Sequence, residues 1–153
     1  MLSDNDLVER LHWYYHPEEQ KQAIEEILKR DSFDLSLLLR PMRKMYWEHA
    51  ALILSRMNQE RLLPIMDGLF EWIQDLNWPG AQVIRKKLGE FPEEVFMPYY
   101  EKAVIRAIAE SDYEWLGYLS WFILENTKKV KQEDFVDKSL YERLLACKDD
   151  FWL

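Results

Sequence analysis

The chain has 153 residues, 48% hydrophobic and 31% charged, with a net charge of −8 from 20 basic and 28 acidic side chains. That length favours one domain with a sizeable core over residues 1–153, and the composition excludes a disordered chain. The acidic balance opposes general phosphate binding, so nucleic acid is not an expected partner.

Four Gly and six Pro are few for an all-β chain. No apolar run approaches the roughly 20 residues of a membrane span, so no membrane association is expected. The amino terminus is acidic and lacks the basic segment and apolar stretch of a signal peptide. A single cysteine, Cys147, excludes an internal disulfide framework. The expected location is cytoplasmic.

Leu7, Leu11 and Tyr14, beside Val8 and Tyr15, mark a first amphipathic helix that starts near Ser3 or Asp4 and breaks at His16-Pro17. Pro17 opens a second, with Glu18 and Glu19 at its positive end. Ala23, Ile24, Ile27 and Leu28 form its apolar face, while Glu25–Lys29 and Glu26–Arg30 are i, i+4 pairs. Residues Asp31 to Pro41 read as a connector with one helical turn at Leu35–Leu39. Met42, Tyr46, Ala50, Ile53 and Met57 then line one face of a third helix, widened by Trp47, Ala51 and Leu54.

After the polar corner at Asn58, a fourth helix covers Arg61 to Asp75, with Leu62, Met66, Leu69, Ile73 and Leu76 on one face. The stretch Asp75-Leu-Asn-Trp-Pro-Gly80 is a tight corner, with Asp75 or Asn77 as cap and Pro79 in the first turn of a fifth helix. That helix, carrying Val83, Ile84 and Leu88, stops at Gly89. Pro92 and Pro98 bracket a short segment before a sixth helix, Met97 to Glu110. Ser111-Asp112 caps a seventh with Trp115, Leu116, Leu119, Phe122 and Ile123, a pattern that predicts deep burial. Lys128 to Asp137 is a charged connector, and Ser139 starts a final helix with Leu140, Tyr141, Leu144 and Leu145. The basic runs at Arg85-Lys-Lys87 and Lys128-Lys-Val-Lys131 read as solvated faces.

No stretch shows sustained period-two alternation, so the fold class is all-α. A weak repeat relates Leu7, Val8, Glu9, Leu11, Tyr14 and Pro17 to Leu69, Phe70, Glu71, Ile73, Leu76 and Pro79. Two-helix units recurring at roughly 35–45 residues mark helical solenoids. The expected architecture is a short HEAT-like solenoid of antiparallel helix pairs, with a compact bundle as the alternative.

The run Trp47-Glu-His-Ala-Ala-Leu-Ile-Leu54, followed by the motif Glu71-Trp-Ile-Gln-Asp-Leu-Asn-Trp-Pro79, resembles small HEAT-like bacterial proteins that form a domain family of unknown function. Members of that family carry a Glu-Trp-Leu-Gln-Asp-x-Asn-Trp-Pro turn, and an Asp-x-Glu-Trp helix start matched here by Asp112, Glu114 and Trp115. The resemblance covers Met42 to Asn126 and implies an all-helical, repeat-like fold in a bacterial cytoplasm. It implies no activity.

His12 and His16 have the i, i+4 spacing of metal ligands, but His16 precedes Pro17, and Trp13-Tyr-Tyr15 replaces the usual Glu-bearing motif. His49 beside Glu48 reads as a half-exposed surface histidine. Glu71 and Asp75 are also i, i+4, although a capping role accounts for Asp75. Cys147 sits among apolar neighbours as a packed thiol. No Gly-rich phosphate loop, Gly-x-Ser-x-Gly elbow or Cys-x-x-Cys is present.

No catalytic, cofactor-binding or metal-binding residue is expected, and no cofactor. The candidate interaction surface is Trp72, Asp75 and Trp78, because aromatic residues are enriched both in cores and at binding hot spots. The expectation is a non-enzymatic interaction module, immunity- or antitoxin-like in its sharpest form, for a basic protein or peptide. The alternative is a nucleic-acid-processing HEAT-like enzyme, which the acidic charge disfavours.

Overall fold

A computed structural model describes residues 1–124, 127 and 129–152. Asn126, which closes the family-like stretch, and Lys128, which opens the last basic run and the charged connector, lie outside the described residues. The described residues form helices and turns with no strand, and no helix among them is long and apolar enough to cross a membrane.

Helix α1 (Asp4–Glu9) opens with a capping box: the Ser3 hydroxyl accepts the Asp6 N–H, and the Asp6 carboxylate accepts the Ser3 N–H. It ends sooner than its periodicity predicts. The His12 Nδ1 accepts the Tyr14 N–H at 3.0 Å and bends the chain, so Leu11 is buried but Tyr14 is 88% exposed. Helix α2 (Pro17–Lys29) has Pro17 at its first position, and the ring of His16 caps it by accepting the Glu18 N–H. Of the two predicted ion pairs on α2, Glu26–Arg30 forms at 3.1 Å. The far end of α2 is closed from elsewhere. Arg61 donates to the carbonyls of Leu28 (3.2 Å) and Arg30 (2.5 Å), which have no partner inside the helix.

The predicted turn at Leu35–Leu38 is a short 3-10 helix, and another at Lys44–Tyr46 leads into α3 (Trp47–Ser55). Met42 is 91% exposed and drops out of the α3 face, because regular helix begins only after it. The predicted fourth helix is broken. Asn58 caps α4 (Gln59–Leu62), Pro64 tightens the chain into a 3-10 turn, and α5 (Met66–Trp72) follows. Even so, Leu62, Met66, Leu69, Ile73 and Leu76 are all buried.

Helix α6 (Ala81–Gly89) starts after Pro79, not at it. Its N-cap is Gly80, at φ 81°, with no side-chain cap. A Cβ there would lie 2.5 Å from the Ala51 methyl and 3.0 Å from the Trp47 carbonyl, so glycine sets how closely α6 approaches α3. Gly89 is the last helical residue and has no positive φ, so it is not the left-handed stop expected. Val83 is 40% exposed. The Arg85-Lys-Lys87 run is not simply solvated. The Arg85 guanidinium lies 4.3 Å from the Trp121 ring centroid, where burial lowers its pKa, and Lys87 pairs with Glu90 at 3.6 Å.

Pro92 caps α7 (Glu93–Ala109), which runs through Pro98 without a break. Pro98 and Glu94 are exposed, so water can take the carbonyl that the proline leaves unbonded. Asp112 caps α8 (Tyr113–Leu119) by accepting the Trp115 N–H, and a 3-10 turn at Ser120–Ile123 extends it. Helix α9 (Ser139–Phe151) packs on α8. The connector before α9 is held by Glu101, 8% exposed, whose carboxylate accepts the N–H groups of Val136 (3.1 Å) and Asp137 (2.8 Å).

Packing runs α1 on α2, α2 on α3, α3 on α6, α5 on α6 and α7, and α7 on α8. At its centre the rings of Phe70, Phe96, Tyr100 and Phe122 meet at centroid distances of 5.0–6.5 Å. The Tyr100 hydroxyl, fully buried, donates to the Leu119 carbonyl at 2.8 Å, and burial pushes its pKa well up. The sequence repeat survives in part. Leu7 and Leu69 are both buried, as are Leu11 and Ile73, but Tyr14 faces water where Leu76 is covered.

Candidate functional site

Three tryptophans meet at the central corner. The Trp47 ring packs edge-on against Trp72 (6.0 Å, 73°) and Trp78 (5.6 Å, 85°). Trp72 is 0% exposed, and its indole N–H donates to the Pro79 carbonyl at 3.0 Å. It therefore leaves the predicted interaction surface: it packs, and a partner cannot reach it. The cause is its place at the end of α5, turned under the corner it ties. Asp75 and Trp78 remain half-buried, with Asn77 exposed between them.

The capping role assigned to Asp75 and Asn77 is also corrected. Asp75 Oδ1 accepts the N–H of Asn77 at 2.8 Å and shapes the corner, while the N-terminus of α6 receives no side chain. Glu71 and Asp75 do not act as a carboxylate pair. Glu71 faces two arginines, accepting from Arg40 Nη2 at 3.1 Å and Arg106 Nη1 at 2.7 Å. Arg106 Nε donates onward to Glu110 at 3.2 Å.

Arg40 joins this ion cluster to the aromatic corner, its guanidinium lying 5.4 Å from the Trp78 ring centroid. Its backbone sits at φ 46° immediately before Pro41. That combination is disfavoured twice, by the side chain and by the following proline. Such strain persists only where surrounding contacts over-determine it, and here Glu71 and Trp78 supply them.

On the other side of Glu71 lies a cleft of about 250 Å³ between α5 and α7, floored by Phe70, Ala103 and Trp115. Lys102–Asp67 (2.6 Å) and Arg106–Glu71 (2.7 Å) cross its rim. The Trp115 indole N–H is buried and has no hydrogen-bond acceptor among the described residues.

The residues weighed for metal chemistry have other tasks. The Nδ1 atoms of His12 and His16 each accept a backbone N–H, and the His12 ring stacks on Tyr14 at 4.7 Å. His49 Nδ1 lies 2.8 Å from the Leu11 carbonyl and donates to it. No group of three or more His, Cys, Asp or Glu suited to a metal occurs among the described residues. Burial raises the Cys147 pKa, the opposite of what activates a thiol.

Arg40, Lys102 and Arg106 were not candidates from the sequence. Arg40 and Arg106 lie 31 and 35 positions from Glu71, and no local spacing announces such a pairing.

No curated protein and no solved structure matches the chain. Residues 41–147 match the family described as Domain of unknown function (DUF5071), a span that holds the Trp corner, Glu71, Arg106 and the cleft. With more than half of its length inside that match, the chain belongs to this family.

Proposed function

We propose that the protein is a non-enzymatic docking module that presents the Asp75–Trp78 corner to a protein or peptide. The observation that carries this reading is Trp78: half-buried, packed on Trp47 and covered by an arginine with a strained backbone. Trp and Arg dominate binding hot spots, and a ring already fixed by its neighbours loses little entropy on binding. The net charge of −8 favours a basic partner, and Asp75 supplies a carboxylate beside the ring.

The finer reading is a short HEAT-like solenoid in a bacterial cytoplasm, masking a basic partner as an immunity protein or antitoxin does. Recurring helix–corner–helix units support it, as far as their buried positions agree. Nucleic acid fits poorly: the three cations nearest the corner, Arg40, Lys102 and Arg106, each face a carboxylate.

The test is affinity capture from the native host with wild type, Trp78→Ala, Asp75→Lys and the remote control Tyr14→Ala, then titration of the purified partner. Trp78→Ala is expected to weaken binding by tenfold or more while the circular dichroism stays helical, with Tyr14→Ala unchanged. Equal binding by all four proteins overturns the assignment of the corner, and sub-micromolar, salt-sensitive binding to duplex DNA overturns the protein-partner reading.

A further inference from the structure

A second site lies beyond the corner, in the cleft between α5 and α7. Its floor is apolar: Phe70 and Trp115 are each 1% exposed, and Ala103 is 5% exposed. Four ionised side chains edge it, Asp67 and Glu71 from α5 and Lys102 and Arg106 from α7. They are already matched across the cleft at 2.6 and 2.7 Å, so the rim carries no net charge and attracts neither a cation nor an anion.

The floor has one unmet demand. The Trp115 indole N–H is out of contact with water and has no acceptor among the described residues. A buried donor without an acceptor is costly, and native proteins seldom keep one without a purpose. The Arg106 guanidinium lies 5.4 Å from the Trp115 ring centroid, so the ring is stacked on one side and unmatched at its polar atom. The cleft holds about 250 Å³, below the range of about 300–1,000 Å³ usual for drug-sized ligands. It has room for a single amino-acid-sized group.

We infer that this cleft binds a neutral, amide-bearing apolar group, such as one residue of a peptide, with its carbonyl oxygen accepting the Trp115 indole N–H. The apolar part of the ligand covers Phe70 and Ala103. The rim carboxylates can accept its amide N–H groups, and Lys102 and Arg106 keep those carboxylates ionised. The inference does not depend on the corner reading. It concerns a different ring, and a small probe tests it without a partner, so either assignment can fail alone.

The probe is N-acetylphenylalaninamide, titrated into the full chain while the indole N–H resonances are followed by NMR. Trp115 is assigned in the wild-type protein, and N-acetylphenylalanine and phenylalaninamide are the anionic and cationic comparators. The neutral probe is expected to shift the Trp115 indole resonance selectively, in a saturable way, and to bind more tightly than either charged comparator. Trp115→Phe keeps an aromatic floor but removes the donor, and is expected to weaken binding about two- to tenfold, the range for one neutral hydrogen bond. Three results overturn the inference: no saturable shift at Trp115, tighter binding of a charged comparator, or unchanged affinity in a folded Trp115→Phe. A water molecule that holds the N–H against exchange gives the first of these and counts against it equally.

Discussion

Trp72 donates its indole N–H to the carbonyl of Pro79 across 3.0 Å, so the residue that ends α5 ties down the corner leading into α6. Removing the ring also opens a cavity under Trp47. Trp72→Ala is expected to cost about 3–5 kcal/mol, as for other buried aromatics. Trp72→Phe keeps most of the volume, loses the hydrogen bond and should cost about 1 kcal/mol more than a pure packing change. Urea denaturation of both variants checks the order.

Within the corner, the three side chains contribute unequally. Asn77 is exposed and its side chain holds nothing, so Asn77→Ala should stay within about 0.5 kcal/mol of wild type. Asp75→Ala removes the acceptor of the Asn77 N–H and should cost about 1 kcal/mol. Trp78→Ala should exceed both, yet fall short of the roughly 3–5 kcal/mol of a fully buried ring. If urea midpoints place Trp78→Ala below Asn77→Ala, the ring is held for display and adds nothing to the fold.

Gly80→Ala meets two obstacles at once. Its φ of 81° strains any L side chain by about 1–2 kcal/mol. The new methyl would also lie 2.5 Å from that of Ala51, and overpacking typically adds about 1–3 kcal/mol. The melting temperature should drop more for Gly80→Ala than for Gly89→Ala, whose Cβ meets nothing closer than 3.9 Å. An equal drop in both would count against the close approach of α3 and α6.

Acid should loosen the junction between the amino terminus and the connector after α2. The Asp4 carboxylate accepts the Asp34 N–H and pairs with Arg30, and both contacts lower its pKa below the ordinary 3.8 against the opposing effect of burial. A depressed carboxylate pKa adds stability above the unfolded value and loses it as pH falls through the folded one. Wild type should therefore lose part of its advantage over Asp4→Asn as pH falls below about 4. Denaturation curves at pH 7 and pH 3 compare them, and a gap that stays constant rejects the linkage.

Some of this was legible from spacing alone. The Leu62, Met66, Leu69, Ile73 and Leu76 face is buried although α4 and α5 do not form one helix, because burial follows periodicity even through a 3-10 turn. Asp112 caps α8, and the Ser139 start of α9 holds. Proline was harder to weigh. Pro64 interrupts a helix and Pro98 does not, since the exposed side of α7 leaves its free carbonyl to water. The site was least visible where it depends on distance in sequence. Trp78 and Asp75 stood out as types, but Arg40 reaches Glu71 and Trp78 only after folding, and the unmatched N–H of Trp115 is a property of its surroundings.

The reach of Arg61 to the carbonyls of Leu28 and Arg30 couples two segments in time as well as in space. Helix ends ordinarily fray independently of the rest of a domain. Here the last turn of α2 cannot loosen without releasing the guanidinium, and the guanidinium belongs to α4. The two segments therefore open as one cooperative unit. The Arg30 amide, bonded to the Glu26 and Ile27 carbonyls, should exchange with solvent deuterium at a rate set by the detachment of α4.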